Sequence, residues 1–474
     1  FSTFYKEMSE EIKDEEMRID EEEDSSESDD DEPMDEDAEE NAEEVGNETT
    51  NNTKPGVYLP GKPLEEGEEL VVDKGAYKML HHAQSGAPCL SFDVILDNMG
   101  DSREDFPLSM YIVAGTQAAK THVNNLLVMK MTNLQGCNND SDDESSDDES
   151  DDEGSSNNPV MTVASIKHQG CVNRIRCSKV GETTLAASWS ELGRVNLWNL
   201  EEQLKAVDNE TLLSAYRKKC DKSDASIKPL FTFKGHQSEG YGLDWCPTDL
   251  GTLASGDCKG NIHIWHISES SGSATWHVDQ RPYNSHAPHS VEDLQWSPSE
   301  RNVLASCSVD KSIKIWDTRA SSQTSAMLSV SGAHTADINV ISWNRQETQF
   351  LVSGGDDGLL CVWDMRQFSS TNTSPLATFK QHTAPVTTVE WHPREATVFA
   401  SGGADDQIAQ WDLSVEADQS EEVQDKELKD LPPQLLFIHQ GQKDIKELHW
   451  HPQCPGVVIS TAHSGFNVFR TISV

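Results

Sequence analysis

Histidine, serine and aspartate, the side chains that could act as acid, base or nucleophile, recur in this chain at regular spacing. A histidine begins most copies of the pattern: His168, His236, His286, His334 and His382. A serine lies ten residues before the residue that closes each copy: Ser188, Ser255, Ser306, Ser353, Ser401 and Ser460. Six residues before it stand Asp310, Asp357 and Asp405 in the three central copies, but Leu192, Lys259 and Ser464 in the others. Because the same residue types return at the same spacing, they belong to a repeated structural unit.

The clearest copy of this unit spans residues 290–319. Trp296 closes an apolar run before Ser297-Pro298, residues 303–306 are apolar, and residues 313–316 alternate apolar with polar. This pattern predicts three short antiparallel strands joined by tight turns. Tryptophans stand twenty residues before the closing position of most copies: Trp245, Trp296, Trp343, Trp391 and Trp450. One such unit cannot bury both of its faces, so the copies are expected to pack against one another.

Over roughly residues 168–474 this pattern resembles the repeat of the WD-repeat family. In that family a histidine, a serine, a tryptophan and an aspartate form a hydrogen-bond set that holds the strands of a blade together. The resemblance implies that the recurring histidines are structural and not catalytic. Blades are expected to end at Trp198, Trp265, Trp316, Trp363, Trp411 and Arg470, and a divergent first blade brings the total to seven. We therefore predict an all-β fold, a seven-bladed WD-repeat β-propeller with a short N-terminal helix and a disordered acidic N-terminal tail.

Three segments are expected along the chain. Residues 1–56 are an acidic tail with too few apolar residues to fold. Residues 57–88 lead into the propeller through a helix that Asp73 caps and that has Ala76, Tyr77, Leu80 and Ala83 on one face. Residues 89–474 form the propeller, with strands near 89–96, 110–116, 125–131 and 160–166. These four strands make the first blade, or one of them completes the last blade; the sequence leaves both arrangements open.

Three connections are too long for ordinary turns. Residues 138–158 are an acidic loop in the first blade, and residues 414–433 are an acidic loop in the sixth blade that ends in Pro432-Pro433. Residues 201–226 have helical spacing at Leu204, Val207, Leu212 and Leu213, followed by basic residues. Loops of this size are usually functional or disordered.

The formal net charge of −45 argues against nucleic acid as a ligand of the whole molecule and favours a partner with a basic surface. No apolar run approaches the ~18 residues of a membrane span. The ten cysteines show neither zinc-site nor disulfide spacing, which indicates a reducing compartment. Phosphate-binding loops and hydrolase motifs are absent, so we expect no enzyme activity, cofactor or metal. Because the chain begins at Phe1, its native N-terminus is expected upstream.

Serines in the acidic tracts are candidates for phosphorylation by acidophilic kinases, because an acid stands three residues after each. They are Ser26, Ser28, Ser141, Ser145, Ser146 and Ser150. Phosphate groups would deepen the negative charge of the tracts. The tracts either contact a basic partner or only keep the protein soluble.

Two distant stretches resemble the histone-binding WD proteins, the retinoblastoma-binding and chromatin-assembly-factor subunits. One is the N-terminal segment running into residues 87–93, and the other is residues 432–439 after the acidic loop. In that family the helix and the Pro-Pro loop form a groove that holds a histone helix. The resemblance implies an apolar floor and an acidic rim, formed by Tyr77, Leu80, Phe437 and Ile438 and by Asp425 and Asp430. Alternatively, the four apolar residues only pack the helix onto its own propeller.

The acidic tracts extend the resemblance to the glutamate-rich WD-repeat family, which has a fungal counterpart in ribosome assembly. This implies a nuclear and nucleolar chaperone of core histones and of a large-subunit ribosomal protein, a monomer within larger complexes. Lys429 departs from the histone-binding pattern, where the equivalent position tends to be acidic, and this favours clients besides histones.

A different function is indicated by Trp316-Asp317-Thr318-Arg319 and Trp363-Asp364-Met365-Arg366. Both resemble the box by which WD proteins dock on the adaptor of cullin-type ubiquitin ligases. The exposed, informative residues would be Arg319 and Arg366, and the protein would then be a substrate receptor. Such boxes also occur by chance or for strand pairing.

Overall fold

The computed structural model describes residues 71–137, 158–222, 227–270, 273–279, 281–320, 326–368, 373–416 and 431–474. Asp73–Val474 form one compact unit. It contains seven four-stranded antiparallel sheets, which confirms the seven-bladed β-propeller. No helix in the described part of the chain is long and apolar enough to cross a membrane.

The first three blades follow the order of the chain. The first contains β2 (Cys89–Ile95), β3 (Leu108–Thr116), β4 (Asn125–Leu134) and β5 (Val160–Lys167). The second contains β6 (Val172–Val180), β7 (Thr183–Ser190), β8 (Arg194–Asn199) and β9 (Phe231–Phe233). The third contains β10 (Leu243–Trp245), β11 (Leu253–Gly256), β12 (Ile262–Ser270) and β13 (Ser273–Val278).

The next three blades repeat this arrangement. The fourth contains β14 (Val291–Trp296), β15 (Val303–Ser308), β16 (Ser312–Asp317) and β17 (Leu328–Ser331). The fifth contains β18 (Ile338–Trp343), β19 (Phe350–Gly355), β20 (Leu360–Asp364) and β21 (Ala377–Phe379). The sixth contains β22 (Val386–Trp391), β23 (Val398–Gly403), β24 (Ile408–Asp412) and β25 (Leu435–His439).

The seventh blade joins the two ends of the propeller. Its strands are β26 (Ile445–Trp450), β27 (Val457–Ala462), β28 (Gly465–Thr471) and, on the outside, β1 (Tyr77–Ala83). The sequence left open which N-terminal strand completes the last blade. All four strands that it predicted there belong to the first blade, and the closing strand is the segment expected to be a helix.

The helix expected across residues 73–84 is therefore wrong. Asp73 does cap a turn, since its Oδ1 accepts from the Gly75 N–H at 2.8 Å, but only a single 3₁₀ turn, Lys74–Ala76, follows. From Tyr77 onward the backbone pairs antiparallel with β28. An open edge on β28 would leave a row of unpaired N–H and C=O groups, and satisfying them outweighs the weak local preference for a helix.

The predicted helical spacing after the second blade's third strand is confirmed by α1 (Glu201–Asp208) and α2 (Glu210–Cys220). Asn209 caps α2 through hydrogen bonds to the N–H groups of Thr211 and Leu212. The helices pack on the first blade, where the hydroxyl of Tyr216 donates to the carbonyl of Ser165 at 2.7 Å.

The repeated hydrogen-bond set is complete in the fourth blade. His286 Nδ1 lies 2.8 Å from an Asp310 oxygen and its Nε2 lies 2.7 Å from the Ser306 hydroxyl, to which Trp316 Nε1 donates at 2.8 Å. The same bonds recur in the fifth and sixth blades among His334, Ser353, Trp363 and Asp357, and among His382, Ser401, Trp411 and Asp405. These groups satisfy one another inside the blade, which is the structural role that the resemblance implied.

The third blade keeps its carboxylate at a different position. Lys259 stands where the central copies have aspartate, but Asp257, two residues earlier, lies 3.1 Å from His236 Nδ1. The other Asp257 oxygen accepts from the N–H groups of Lys259 and Asn261. In the second blade the carbonyl of Gly170 takes this place beside His168.

Candidate functional site

The outer strands of the sixth and seventh blades meet at Tyr77 and Phe437. Their rings are edge to face, with centroids 5.3 Å apart and planes at 78°. Tyr77 is only 6% exposed, whereas Phe437 is half-buried. Edge-to-face pairs of this kind stabilise packing beyond the area that they bury. The contact therefore fixes β1 against β25, directly after the acidic loop of the sixth blade.

A chain of polar groups crosses this contact. The Tyr77 hydroxyl lies 2.8 Å from His439 Nδ1, His439 Nε2 lies 2.9 Å from Asn467 Nδ2, and Asn467 Oδ1 lies 2.7 Å from His82 Nδ1. An amide nitrogen only donates, so His439 Nε2 accepts. Burial lowers the pKa of His439 to about 3, so the ring is neutral and its proton is on Nδ1, facing the Tyr77 oxygen.

The structure brings together three of the four apolar residues expected at the groove floor. Leu80 and Phe437 are partly buried and pack in the same apolar cluster as Tyr77. Ile438 is different: it pairs with Ala409, while Phe437 pairs with Gln410. Because adjacent residues of a strand point to opposite faces, Ile438 lies on the other face of the sheet from Phe437. Its place on the same floor was therefore wrong; a role for the other three in binding a client stays a prediction.

The acidic rim and the phosphorylation candidates lie outside the described residues. They are Asp425 and Asp430, and Ser26, Ser28, Ser141, Ser145, Ser146 and Ser150. Their roles stay predictions.

A neighbour of the groove was missed at the sequence level. The N–H of Cys137 donates to the carbonyl of Lys78 at 2.9 Å, and His81 Nε2 lies 2.8 Å from the carbonyl of Gln135. The residues that lead into the acidic loop of the first blade are thus tied to β1. These bonds use backbone groups far apart in sequence, so side-chain patterns carried no signal for them.

The two box arginines lie elsewhere, just beyond the third strands of the fourth and fifth blades. Arg319 donates from Nε and a terminal nitrogen to Asp317 at 2.9 and 2.7 Å, and Arg366 pairs with Asp364 in the same way at 2.8 and 2.6 Å. Their side chains are 67% and 68% exposed. Each guanidinium is held in a defined orientation and remains open to a partner.

Fold and site together define the class of protein, a WD-repeat β-propeller of the histone-binding type. A family model for the WD domain, G-beta repeat, matches residues 227–266, 280–317, 326–364 and 373–412. A second model, which describes the histone-binding protein RBBP4 and its counterpart in the CAF1 complex, matches residues 67–135. That stretch includes β1 with Tyr77 and Leu80.

Relatives that align along most of the chain narrow the class. The chain is 44% identical to glutamate-rich WD repeat-containing protein 1 of Dictyostelium discoideum, over 86% of this chain and 83% of the relative. It is 39% identical to ribosome assembly protein rrb1 of Schizosaccharomyces pombe, over 88% and 84%. It is 43% identical to protein HEAT STRESS TOLERANT DWD 1 of Arabidopsis thaliana, over 88% and 92%. The chain belongs to the family of glutamate-rich WD-repeat and ribosome assembly proteins.

Proposed function

We propose that this protein is a non-enzymatic nuclear and nucleolar chaperone for basic clients in ribosome biogenesis and chromatin assembly. The clients are core histones, a large-subunit ribosomal protein, or both. The observation that carries the proposal is the contact between Tyr77 and Phe437. It joins the stretch matched by the histone-binding model to the strand that follows the acidic sixth-blade loop.

Charge supports the same class of client. The chain has 82 acidic and 37 basic residues, and much of the excess is concentrated in residues 10–44 and 140–153. Acidic segments attract and shield a lysine-rich and arginine-rich protein before it reaches nucleic acid. The name of the Schizosaccharomyces pombe relative, a ribosome assembly protein, supports the ribosomal client.

The test is binding of histones H3–H4 and of the ribosomal protein to the full-length chain, with Phe437→Ala as the variant. Truncating an aromatic anchor at a binding surface is expected to weaken Kd by about tenfold or more. Phe231→Ala is the matched control, since Phe231 is also half-buried on the outer strand of a blade, the second. Equal client affinity in the two variants would remove the groove from the proposal.

A second function is favoured by one observation, the pair of exposed arginines each held by an aspartate on adjacent blades. The printed name of the Arabidopsis relative contains the term DWD, which is consistent with a role as substrate receptor of a cullin-type ligase. If the protein has this role, Arg319→Ala combined with Arg366→Ala abolishes binding of the ligase adaptor and leaves the basic client bound. Unchanged adaptor binding would eliminate it.

A further inference from the structure

A cavity of about 420 Å³ lies on the axis of the propeller, far from the outer strands that form the groove. The first strand of every blade contributes to its lining, for example Asp93, Arg176, Asp244, Gln295, Glu390 and His449. Only a position on the axis is reached by all seven first strands. We call this space the axial cavity. Its volume is within the range of about 300–1,000 Å³ typical of ligand sites.

The axial cavity opens on the face at which the first strands end. Successive strands of a blade are antiparallel, so the third strand runs parallel to the first and ends on the same face. Arg319 and Arg366 are therefore on the face of the axial cavity. The turn that carries Lys311, between the second and third strands of the fourth blade, is on the opposite face.

Ion pairs within the protein neutralise much of the cavity floor. Glu447 accepts from Arg174 and Arg176 at 2.7 and 2.8 Å. Glu390 lies 3.0 Å from His449 Nδ1. Burial lowers the pKa of His449, but Glu390 and Glu447 outweigh burial and raise it to about 10, so the imidazolium is retained.

The remaining floor carboxylates are engaged with neighbouring blades. Asp93 accepts from the N–H of Cys177 at 2.7 Å, Asp293 from Ile341 at 3.1 Å, and Asp244 from Trp296 at 2.7 Å. Burial raises the pKa of Asp244 to about 7, so near neutral pH this group carries only part of a negative charge. The carboxylates thus replace the ladder partners that the inner edge strands lack.

The mouth of the cavity has the opposite character. Arg345 is exposed and has no hydrogen bond or ion pair with the described residues. Lys179 is exposed and donates only to the amide oxygen of Asn98, at 3.3 Å. Beside these cations lie two leucines that are 51% and 57% exposed, Leu96 and Leu250. Free cations next to exposed apolar side chains complement a segment with carboxylates and apolar residues.

We propose that the axial cavity is a docking site for an extended, acidic and apolar segment of a protein partner. A carboxylate of the segment pairs with Arg345 and Lys179, and an apolar side chain covers Leu96 and Leu250. The site selects the opposite charge from the groove at Tyr77 and Phe437. One molecule can therefore hold a basic client at its rim and an acidic partner at its axis.

The test uses the full-length protein and three fluorescent peptides of equal length, alternating Glu with Leu, Glu with Ser, or Lys with Leu. Fluorescence anisotropy at physiological salt gives each Kd. The Glu/Leu peptide is expected to bind most tightly, although the net charge of −45 repels it. Arg345→Ala combined with Lys179→Ala should weaken it by about tenfold or more, and Leu250→Ser should weaken it as well.

Two control variants separate this site from others. Lys311→Ala removes an exposed cation from the opposite face, and Phe437→Ala alters only the groove; neither should change the Kd of the Glu/Leu peptide. Preference for the Lys/Leu peptide, equal binding of the Glu/Ser peptide, or an unchanged Kd in the double variant would overturn the proposal. So would self-association that the double variant abolishes, because the occupant would then be a second copy of this chain.

Discussion

The Tyr77 hydroxyl lies 2.8 Å from His439 Nδ1, although 362 residues separate the two in sequence. Tyr77 is on the strand that closes the seventh blade and His439 is on the outer strand of the sixth. Because His439 is neutral and must donate from Nδ1, Tyr77 is the acceptor that this buried N–H needs. The bond thus ties the N-terminal strand to the blade whose acidic loop forms part of the candidate site.

Tyr77→Phe is expected to destabilise the protein by about 1–3 kcal/mol, because it leaves the N–H of His439 buried and without an acceptor. Denaturant unfolding measures the change. A double-mutant cycle with His439→Leu isolates the bond, and the two losses should be markedly less than additive. Additive losses would mean that the two groups are not coupled.

The sequence predicted the propeller because each blade repeats a local pattern of strands and turns that can be seen without knowing the fold. It failed for residues 73–84 because the partner of that segment, β28, lies near the far end of the chain. Taken locally, Ala76, Tyr77, Leu80 and Ala83 imitate one face of a helix. The burial of Tyr77 and Met79 around exposed Lys78 is the strand alternation that overrides it.

The candidate site was predicted in part for the same reason. Tyr77, Leu80 and Phe437 were placed together through a resemblance, and the structure places them in one cluster. Ile438 was misplaced because the face on which its side chain lies depends on the register of β25, which no local pattern determines. Asp257 was missed because its carboxylate reaches the same histidine from a different position in the turn.

Asp257→Asn is expected to cost about 1–3 kcal/mol of stability, because Asp257 accepts from the buried His236 and from two backbone N–H groups. Lys259→Ala, at the position where the central blades have aspartate, should change stability by less than about 0.5 kcal/mol. Thermal unfolding of both variants checks the assignment. A larger loss for Lys259→Ala would mean that the third blade is held differently.

His449 gives a pH dependence. Its pKa, raised to about 10 by Glu390 and Glu447 against the effect of burial, means that the folded state favours the imidazolium. Its stabilisation is therefore complete below the unfolded pKa, near 6.5, and is lost as the pH rises through about 10. Arg174 and Arg176, which also face Glu447, remain charged throughout this range.

We expect the stability difference between the wild type and His449→Gln to be large at pH 6 and much smaller at about pH 10. Urea unfolding at both pH values measures it, and comparison with the wild type cancels general alkaline effects. His463→Gln, at an exposed position, serves as the control. A difference that does not change with pH would contradict a charged His449.

The central claim is that a basic client binds at the contact between β1 and β25. Crosslinking mass spectrometry of the native complex, with a lysine-reactive reagent, tests it most directly. Lys74 and Lys78 are exposed on either side of Tyr77 and report on this site. The account predicts that crosslinks from the client's lysines concentrate on Lys74 and Lys78. Crosslinks confined to Lys259 and Lys311, on turns at one face of the propeller, would contradict it.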